Sequence, residues 1–471
     1  MSSIKKNFSF NFIYQLLSIA VSLITTPYIA RILGAELSGM YSYYYSIASY
    51  FYLFAMLGIS NYGNRSIAYI RSDSNRLNST FSEIYSIQLI MSVILLQVYF
   101  IYVFFISNNL NMSLILSMYV FSAAFDVNWF FFGIEKFSIT VTRNIIIKGM
   151  LLAGVFLFVK EKQDVYVYVG LMAFSHFISN IMIVPFLRKY VHFAIPLRKN
   201  IIQHLKPILI LFVPVLAISL YNIMDKIMLG QIGTKETVGY YDYSEKVMQI
   251  PNAFITAAGA VMLPRMSNIS KTEDFSTAEE YISKSMNVIS FFSVGMAFGL
   301  AGIADNLIPF FLGDSYYPCI NLVVVLTPII IIKAWANVIR TQYLIPFGKD
   351  KVYVLSVAFG ALTNIIFNII FIPRLKAMGA VIGTVFAELI VMGYQLFMVR
   401  HDLNIKRYFR QNYLYLFIGL IMYGAIKLSS LYFSKSKFVL FINILVGCAI
   451  YLLITIFVER GKRKYFHDKS S

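Results

Sequence analysis

Apolar runs long enough to cross a membrane recur along almost the whole chain, from residue 10 to residue 458. A spanning helix needs about 20 mostly apolar residues. This length predicts about 14 spans, at 10–33, 38–63, 82–106, 112–134, 139–159, 165–187, 207–232, 237–264, 284–309, 319–345, 352–373, 376–399, 412–432 and 437–458. Only 13% of the residues are charged, whereas soluble proteins carry about 25%. The fold class is therefore predicted as an all-α polytopic membrane protein.

Lys and Arg residues are concentrated in alternate segments between these spans. With the N-terminus inside, 24 of them lie in cytoplasmic segments and 5 on the opposite side, which is the bias that orients membrane proteins. The bias predicts that both termini and the long loops 188–206 and 265–283 are cytoplasmic. It also explains the net charge of +18 without nucleic acid as a partner.

An internal repeat relates the two halves of the chain. Residues 32–45 resemble 228–243, and residues 132–136 resemble 347–351, at offsets of about 200 and 215. Six spans per repeat give both halves the same orientation, with a pseudo-two-fold axis along the membrane normal. We predict an N-terminal six-helix lobe (1–190), a cytoplasmic linker (191–206), a C-terminal six-helix lobe (207–400), and two additional helices with a basic cytoplasmic tail (401–471).

Charged side chains inside the predicted spans are candidates for function, because a charge facing lipid costs at least about 2.5 kcal/mol. As functional residues, the cations would line an anion-binding cavity, in which Arg binds phosphate through its planar fork and Lys as a point charge. These candidates are Arg31, Arg143, Lys148, Lys226, Lys246, Lys333 and Arg340. Structural roles are the alternative: Arg31 and Arg143 lie near span ends and can extend to the membrane surface, and Asp242 can neutralise Lys246 four residues later.

Carboxylates inside the spans are candidates for coupling transport to an ion gradient. Burial disfavours the charged form of a carboxyl group, so such a group could exchange a proton or hold sodium. The candidates are Asp126, Asp225, Glu245 and Glu388, of which Asp126 and Glu388 lie deep in the fourth and twelfth spans. The alternative is hydrogen bonding of the neutral form to a neighbouring helix.

Motifs for nucleotide hydrolysis and metal binding are missing from the sequence. It contains no G-x-x-x-x-G-K-[ST], no H-E-x-x-H and no Cys/His cluster. We therefore expect no catalytic residues, no metal and no cofactor. Vectorial transport would then depend on a proton or sodium gradient, or on consumption of the substrate outside.

Two short motifs, together with the span count, resemble a known family. Residues 27–34 (PYIARILG) with Gly39 following, and residues 128–133 (NWFFFG) before 135–137 (EKF), resemble the Wzx-type polysaccharide flippases of the multidrug/oligosaccharidyl-lipid/polysaccharide (MOP) exporter superfamily. The similarity covers essentially the whole chain.

This resemblance implies a V-shaped transporter of two six-helix lobes plus two helices. Such proteins move undecaprenyl-pyrophosphate-linked oligosaccharide repeat units across the bacterial plasma membrane by alternating access, for capsule, O-antigen or exopolysaccharide synthesis. The cationic candidates above would correspond to the family's central cavity. Membrane lipids, a polysaccharide polymerase and the chain-length machinery are the implied partners.

Three alternatives remain open from the sequence. A drug or metabolite antiporter of the same superfamily would favour acidic cavity residues, whereas seven cations accompany six acids here. Export of the peptidoglycan precursor is chemically similar and is not excluded by composition. A membrane glycosyltransferase or polymerase commonly needs a substantial external loop, but every predicted external loop has about ten residues or fewer.

Overall fold

The computed structural model describes residues 2–193, 195–196, 198–272, 275–433 and 438–467. Seventeen α-helices lie within these residues. They are α1 (Ser2–Met56), α2 (Ile59–Ile70), α3 (Ser74–Phe105), α4 (Leu110–Phe121), α5 (Asn128–Gly133), α6 (Phe137–Phe158), α7 (Val165–Ile181), α8 (Val184–Leu187), α9 (Arg198–Ile232), α10 (Lys235–Thr272), α11 (Phe275–Leu312), α12 (Pro318–Leu326), α13 (Pro328–Ile339), α14 (Asp350–Leu375), α15 (Ala377–Val399), α16 (Ile405–Tyr432) and α17 (Val439–His467).

The polytopic all-α fold class is confirmed. Among the described residues, thirteen helical segments are long and apolar enough to cross a membrane. The predicted number was fourteen, and the difference arises at the start of the chain. Two predicted spans, 10–33 and 38–63, fall on one helical segment there. Its part Ser18–Ile70 counts as a single candidate span. Gly34 interrupts α1 with a φ of 74°, a conformation that glycine adopts without steric cost.

Contacts divide the chain into two compact units, Met1–Gly239 and Tyr240–Ser471. The predicted lobe limits rest on the sequence repeat and not on contacts, so they stay a prediction. Helix α9 begins at Arg198, so the second half of the predicted linker 191–206 is helical.

The aromatic motif at residues 128–133 packs the interior of the first unit. Trp129, Phe130 and Phe131 are each at most 1% exposed. The Trp129 ring stacks on Phe81 of α3, with ring centroids 5.6 Å apart. Burial of such large side chains contributes strongly to packing, so these rings hold α5 against α3.

The fourth predicted span is confirmed as membrane-length, but it is not one continuous helix. Helix α4 ends at Phe121 and continues as a 3₁₀ turn over Ser122–Phe125. The Asp126 carboxylate then accepts a hydrogen bond from the backbone nitrogen of Asn128 at 3.1 Å, a local bond that competes with helix formation. Gln88 of α3 donates to the freed carbonyl oxygens of Ala123 (2.6 Å) and Asp126 (3.0 Å). An interrupted helix is tolerated at membrane depth where its backbone is satisfied in this way.

Two segments related by the sequence repeat pack against each other within the first unit. A Cβ atom on Gly39 would overlap the carbonyl oxygen of Lys235, and a Cβ atom on Gly239 would overlap the carbonyl oxygen of Ala35. The two contacts are reciprocal, and they fit the repeat offset of about 200. Glycine is needed at both positions because the backbones touch.

Two ion pairs join loops that the Lys/Arg distribution predicts on the same side. Arg71 lies 2.5 Å from Glu135, and Lys349 Nζ lies 2.6 Å from Asp402 Oδ2. The hydrogen bond from Lys349 lowers the pKa of Asp402 below its ordinary value. Both side chains of this second pair are 36% exposed, so solvent screening keeps its contribution small.

Candidate functional site

A cavity of about 450 Å³ lies within the first unit. It brings together three of the predicted site residues, Asp126, Arg143 and Lys148. Its other lining residues are Tyr41, Tyr45, Ser60, Tyr119, Asn128, Trp129, Phe132, Asn144, Ile147, Leu151, Met172, Ser175, His176, Ser179 and Asn180. The lining combines aromatic rings with amides, hydroxyls and charges, a mixture suited to a ligand that is both polar and bulky.

Asp126 is held at the break between α4 and α5. Tyr52 donates its hydroxyl hydrogen to Oδ2 at 2.6 Å. Asn128 donates to Oδ1 from its side-chain nitrogen at 2.6 Å and from its backbone nitrogen at 3.1 Å. Both carboxylate oxygens therefore have hydrogen-bond donors. The role of Asp126 in ion coupling stays a prediction.

Arg143 of α6 is fixed by two amide side chains. Its Nη2 atom donates to Asn128 Oδ1 at 3.0 Å and to Asn144 Oδ1 at 2.7 Å, and Nε donates to Asn144 Oδ1 at 3.2 Å. The residue is only 7% exposed, so its side chain is enclosed by the first unit. Asn128 links Arg143 to Asp126 through one side chain.

Helix α7 supplies the opposite wall with side chains that sequence reasoning missed. His176 Nδ1 lies 3.0 Å from Ser122 Oγ. Asn180 donates to the carbonyl oxygen of Ser122 at 3.2 Å and to the Tyr52 hydroxyl at 3.4 Å. The signal in the sequence was the spacing of four residues within the pairs 175/179 and 176/180, which places all of these polar side chains on one helix face.

The other predicted site residues of the first unit lie outside this cavity. Arg31 of α1 is exposed, while on α9 Asp225 is buried and Lys226 is half-buried. None of the three is among the residues that line the cavity.

The second unit contains a buried ion pair between two predicted site residues. Lys333 Nζ on α13 lies 3.0 Å from Glu388 Oε1 on α15. The side chain of Glu388 is 6% exposed and that of Lys333 is 32% exposed. A predicted substrate-binding cation and a predicted coupling carboxylate therefore belong to one structural group.

Hydrogen bonds connect α10 to this group. The Tyr241 hydroxyl donates to Glu245 Oε1 at 3.2 Å and lies 3.0 Å from Thr384 Oγ1. Thr384 stands one turn before Glu388 on α15 and donates to the carbonyl oxygen of Ala380 at 2.9 Å. Glu245, also predicted as a coupling residue, is thereby placed beside the Lys333–Glu388 pair.

The remaining two cations of the second unit have other neighbours. Lys246 Nζ lies 2.8 Å from Asp242 Oδ2, so the predicted neutralisation by Asp242 is confirmed. Arg340 lies over the Tyr353 ring, 5.5 Å from its centroid, in a π-helical turn over Arg340–Leu344. Such turns are frequent at functional sites.

No arrangement for a metal ion occurs in the part of the chain that the structure describes. Groups of three or more His, Cys, Asp or Glu side chains with suitable geometry are absent there. The two sets of polar residues instead combine cations, carboxylates and amides, and cations and amides of this kind can bind an anion.

A family model described as "Polysaccharide biosynthesis protein" matches residues 4–270, more than half of the chain. The chain belongs to this family. The match confirms the resemblance to the Wzx-type flippases of the MOP superfamily. In this family, the chain is 24% identical over 398 residues to a protein described as an O-antigen transporter from Shigella dysenteriae, covering 83% of this chain and 99% of the relative.

Other comparisons agree on the fold. The chain is 23% identical over 191 residues to the lipid II flippase MurJ of Bacillus subtilis, covering 40% of this chain and 35% of that protein. A solved structure of lipid II flippase MurJ in an inward closed conformation superposes with a TM-score of 0.78 at 16% identity, covering 97% of this chain and 99% of that one. An inward-facing MATE-family multidrug transporter of the MOP superfamily gives 0.64 at 14% identity, covering 83% and 94%. The proteins named in these comparisons are transporters and flippases, in agreement with the expectation of a transporter and not an enzyme.

Proposed function

We propose that this chain flips undecaprenyl-pyrophosphate-linked oligosaccharide repeat units across the bacterial plasma membrane. The units would serve capsule, O-antigen or exopolysaccharide synthesis, with both termini of the chain in the cytoplasm. A polysaccharide polymerase and the chain-length machinery would act on the product outside. The family and the relatives described as O-antigen transporters support this proposal.

One structural observation carries the proposal: a polar cavity with two cations inside a membrane-spanning unit. Arg143 and Lys148 of α6 line the cavity together with Asn128 and Asn144. Because a sugar diphosphate has many hydroxyls and a negative charge, it cannot enter hydrocarbon without replacing the water it loses. Amides and hydroxyls replace hydrogen bonds to the sugar, and the cations replace hydration of the phosphate.

The polar head is the part of such a substrate that the protein must shield from hydrocarbon. The prenyl chain of such a substrate is apolar and stays in the bilayer, so only the head needs a polar path. Alternating access moves the head between the two leaflets while the tail follows in lipid. Arg143 and Lys148 in the cavity of the first unit would bind the diphosphate.

The decisive experiment identifies the lipid that accumulates without the protein. In a deletion strain, mass spectrometry of lipid extracts should show accumulated sugar-loaded undecaprenyl diphosphate, and re-expression should remove this accumulation. Accumulation of the peptidoglycan precursor, or of no lipid-linked sugar, would contradict the proposal. Sensitivity to cationic drugs in the same strain would indicate the antiporter alternative.

A variant pair tests the cationic cavity. Lys148→Gln should lower flipping in reconstituted vesicles by about tenfold or more, because a hydrogen bond to a charged group contributes about 1.5–3 kcal/mol. Lys271, an exposed residue at the end of α10, provides the matched control, and Lys271→Gln should leave flipping unchanged. Equal rates for the two variants at equal protein levels would exclude a substrate role for Lys148.

A further inference from the structure

The two partners of the Lys333–Glu388 pair differ in exposure. Lys333 retains 32% exposure of its side chain, whereas Glu388 retains 6%. Lys333 is therefore the partner that an incoming ligand can contact, whereas Glu388 is shielded by the protein. A lysine has three donors and a mobile stem, so it can turn from Glu388 to an incoming anion.

We propose that the anionic head of the substrate and the Glu388 carboxylate compete for Lys333, so that the head binds together with one proton. This inference rests on the proposed function and adds the link between substrate and proton. Before binding, Lys333 and Glu388 neutralise each other. After binding, Lys333 pairs with one negative charge of the anion, and Glu388 carries a proton released by a buffer acid in the solvent. One bond to hydrogen breaks in the buffer acid and one O–H bond forms on Glu388, and the added proton offsets the one negative charge that pairs with Lys333.

Burial is the physical reason for the proton. A buried carboxylate that loses its cation is left as an uncompensated charge, which strongly destabilises the site. Protonation removes this charge and leaves a group that hydrogen-bonds as a neutral donor. Substrate binding and proton binding at Glu388 therefore favour each other by linkage.

The charged neighbours act in opposite directions. Glu245 on α10 interacts with Lys333, and its negative charge favours protonation of Glu388 once Lys333 has turned away. Arg340 also acts on Lys333, and its positive charge opposes protonation of Glu388. The Tyr241 hydroxyl connects Glu245 to Thr384, one turn from Glu388.

The other helices that pack on α15 contribute little further charge. Helix α14 presents the neutral amide of Asn368 to Gly383 of α15. Tyr353 of α14 lies under Arg340. Helix α12 contributes the thiol of Cys319, which donates to the carbonyl oxygen of Tyr240. The exchange therefore depends chiefly on Lys333, Glu388, Glu245 and Arg340.

Calorimetry with farnesyl diphosphate, a short prenyl diphosphate, tests the exchange. The full chain in nanodiscs is titrated at pH 7 in two buffers of different ionisation enthalpy, which gives the protons taken up per bound probe. The wild-type chain should take up about one proton more than Glu388→Gln. The variant provides the reference because any proton that the probe itself gains or loses on binding is counted in both chains. As the pH rises, the affinity of the wild type for the probe should fall by up to about tenfold per pH unit relative to the affinity of that variant.

Further variants separate this inference from the proposed function. Lys333→Gln should lose most of the binding, and Lys271→Gln should keep both affinity and proton count. Difference infrared spectra of the wild type should show a new protonated-carboxyl band when the probe binds. This measurement does not depend on the folding of any variant. Probe binding with equal proton counts in the wild type and Glu388→Gln, and no such band, would overturn the exchange while leaving the anion site intact. Absence of any binding by the wild type would overturn the exchange and the proposed substrate class together.

Discussion

The backbone contact between the two repeat-related segments gives a quantitative prediction. In Gly39→Ala, the new methyl group would overlap the carbonyl oxygen of Lys235 and would lie 2.5 Å from the backbone nitrogen of Gly239. Neither atom is at the end of a flexible side chain, so the two segments must separate. Overpacking of this kind costs about 1–3 kcal/mol.

The matched control is a helical glycine in open space. A Cβ atom on Gly170 of α7 would meet nothing within 4 Å. Gly170→Ala should therefore stabilise the chain by about 0.4–1 kcal/mol, through reduced freedom of the unfolded chain. The two alanine variants should differ by about 1.5–4 kcal/mol, the sum of the two effects.

Thermal unfolding in one detergent, followed by intrinsic fluorescence, measures the difference. We expect Gly39→Ala to unfold below the wild type and Gly170→Ala at or above it. Gly239→Ala should resemble Gly39→Ala because the contact is reciprocal. The double variant should lose less than the sum of the two, since the first substitution already separates the segments. A Gly39→Ala chain as stable as Gly170→Ala would show that the segments do not pack as described.

Two further predictions concern orientation and pH. A single Cys at Asn108, which is exposed in the loop before α4, should react with an impermeant thiol reagent in intact cells. A single Cys at the exposed Lys199 should react only after permeabilisation. The opposite pattern would reverse the predicted topology. The lowered pKa of Asp402 beside Lys349 adds stability that is present above its unfolded pKa of about 3.9 and is lost as pH falls through the folded value. Asp402→Asn should therefore lower the unfolding temperature at pH 7 by an amount corresponding to at most about 1 kcal/mol. This difference should shrink as the pH falls through the lowered pKa of the folded state, and a pH-independent effect would exclude the ion pair as its cause.

The spans were predictable from the sequence because each must be apolar over a fixed length. The same logic failed to anticipate the break at Asp126, which depends on local bonds between its carboxylate and Asn128. A length criterion does not register such bonds. An Asp followed two residues later by Asn, inside an apolar run, was the available signal.

Pairing of charges was predictable only within one helix. Asp242 and Lys246 are four residues apart, so helical geometry alone brings them together. Lys333 and Glu388 lie on different helices, and their contact depends on how α13 and α15 are rotated and packed. Neither hydropathy nor spacing contains that information, so the sequence placed the two residues in separate functional classes.

The hydrogen bonds of Asp126 decide how its coupling role must be tested. Asp126→Asn would mimic a protonated carboxyl in shape, but it replaces one acceptor oxygen with a donor. Since Tyr52 and Asn128 both donate to this carboxylate, the amide would face at least one donor without an acceptor, at a cost of about 1–3 kcal/mol. Loss of flipping in this variant is therefore expected whether or not Asp126 carries an ion.

Tyr52→Phe separates the two roles of Asp126. This variant removes one donor and leaves the carboxylate able to titrate. If Asp126 couples transport to protons, flipping by Tyr52→Phe should still respond to a pH gradient, whereas flipping by Asp126→Asn should not. If Asp126 only positions Tyr52 and Asn128, both variants should lose rate by a similar factor and keep the same gradient response. Gradient dependence that persists in Asp126→Asn would refute coupling through this residue and would leave Glu388 as the carrier to be tested.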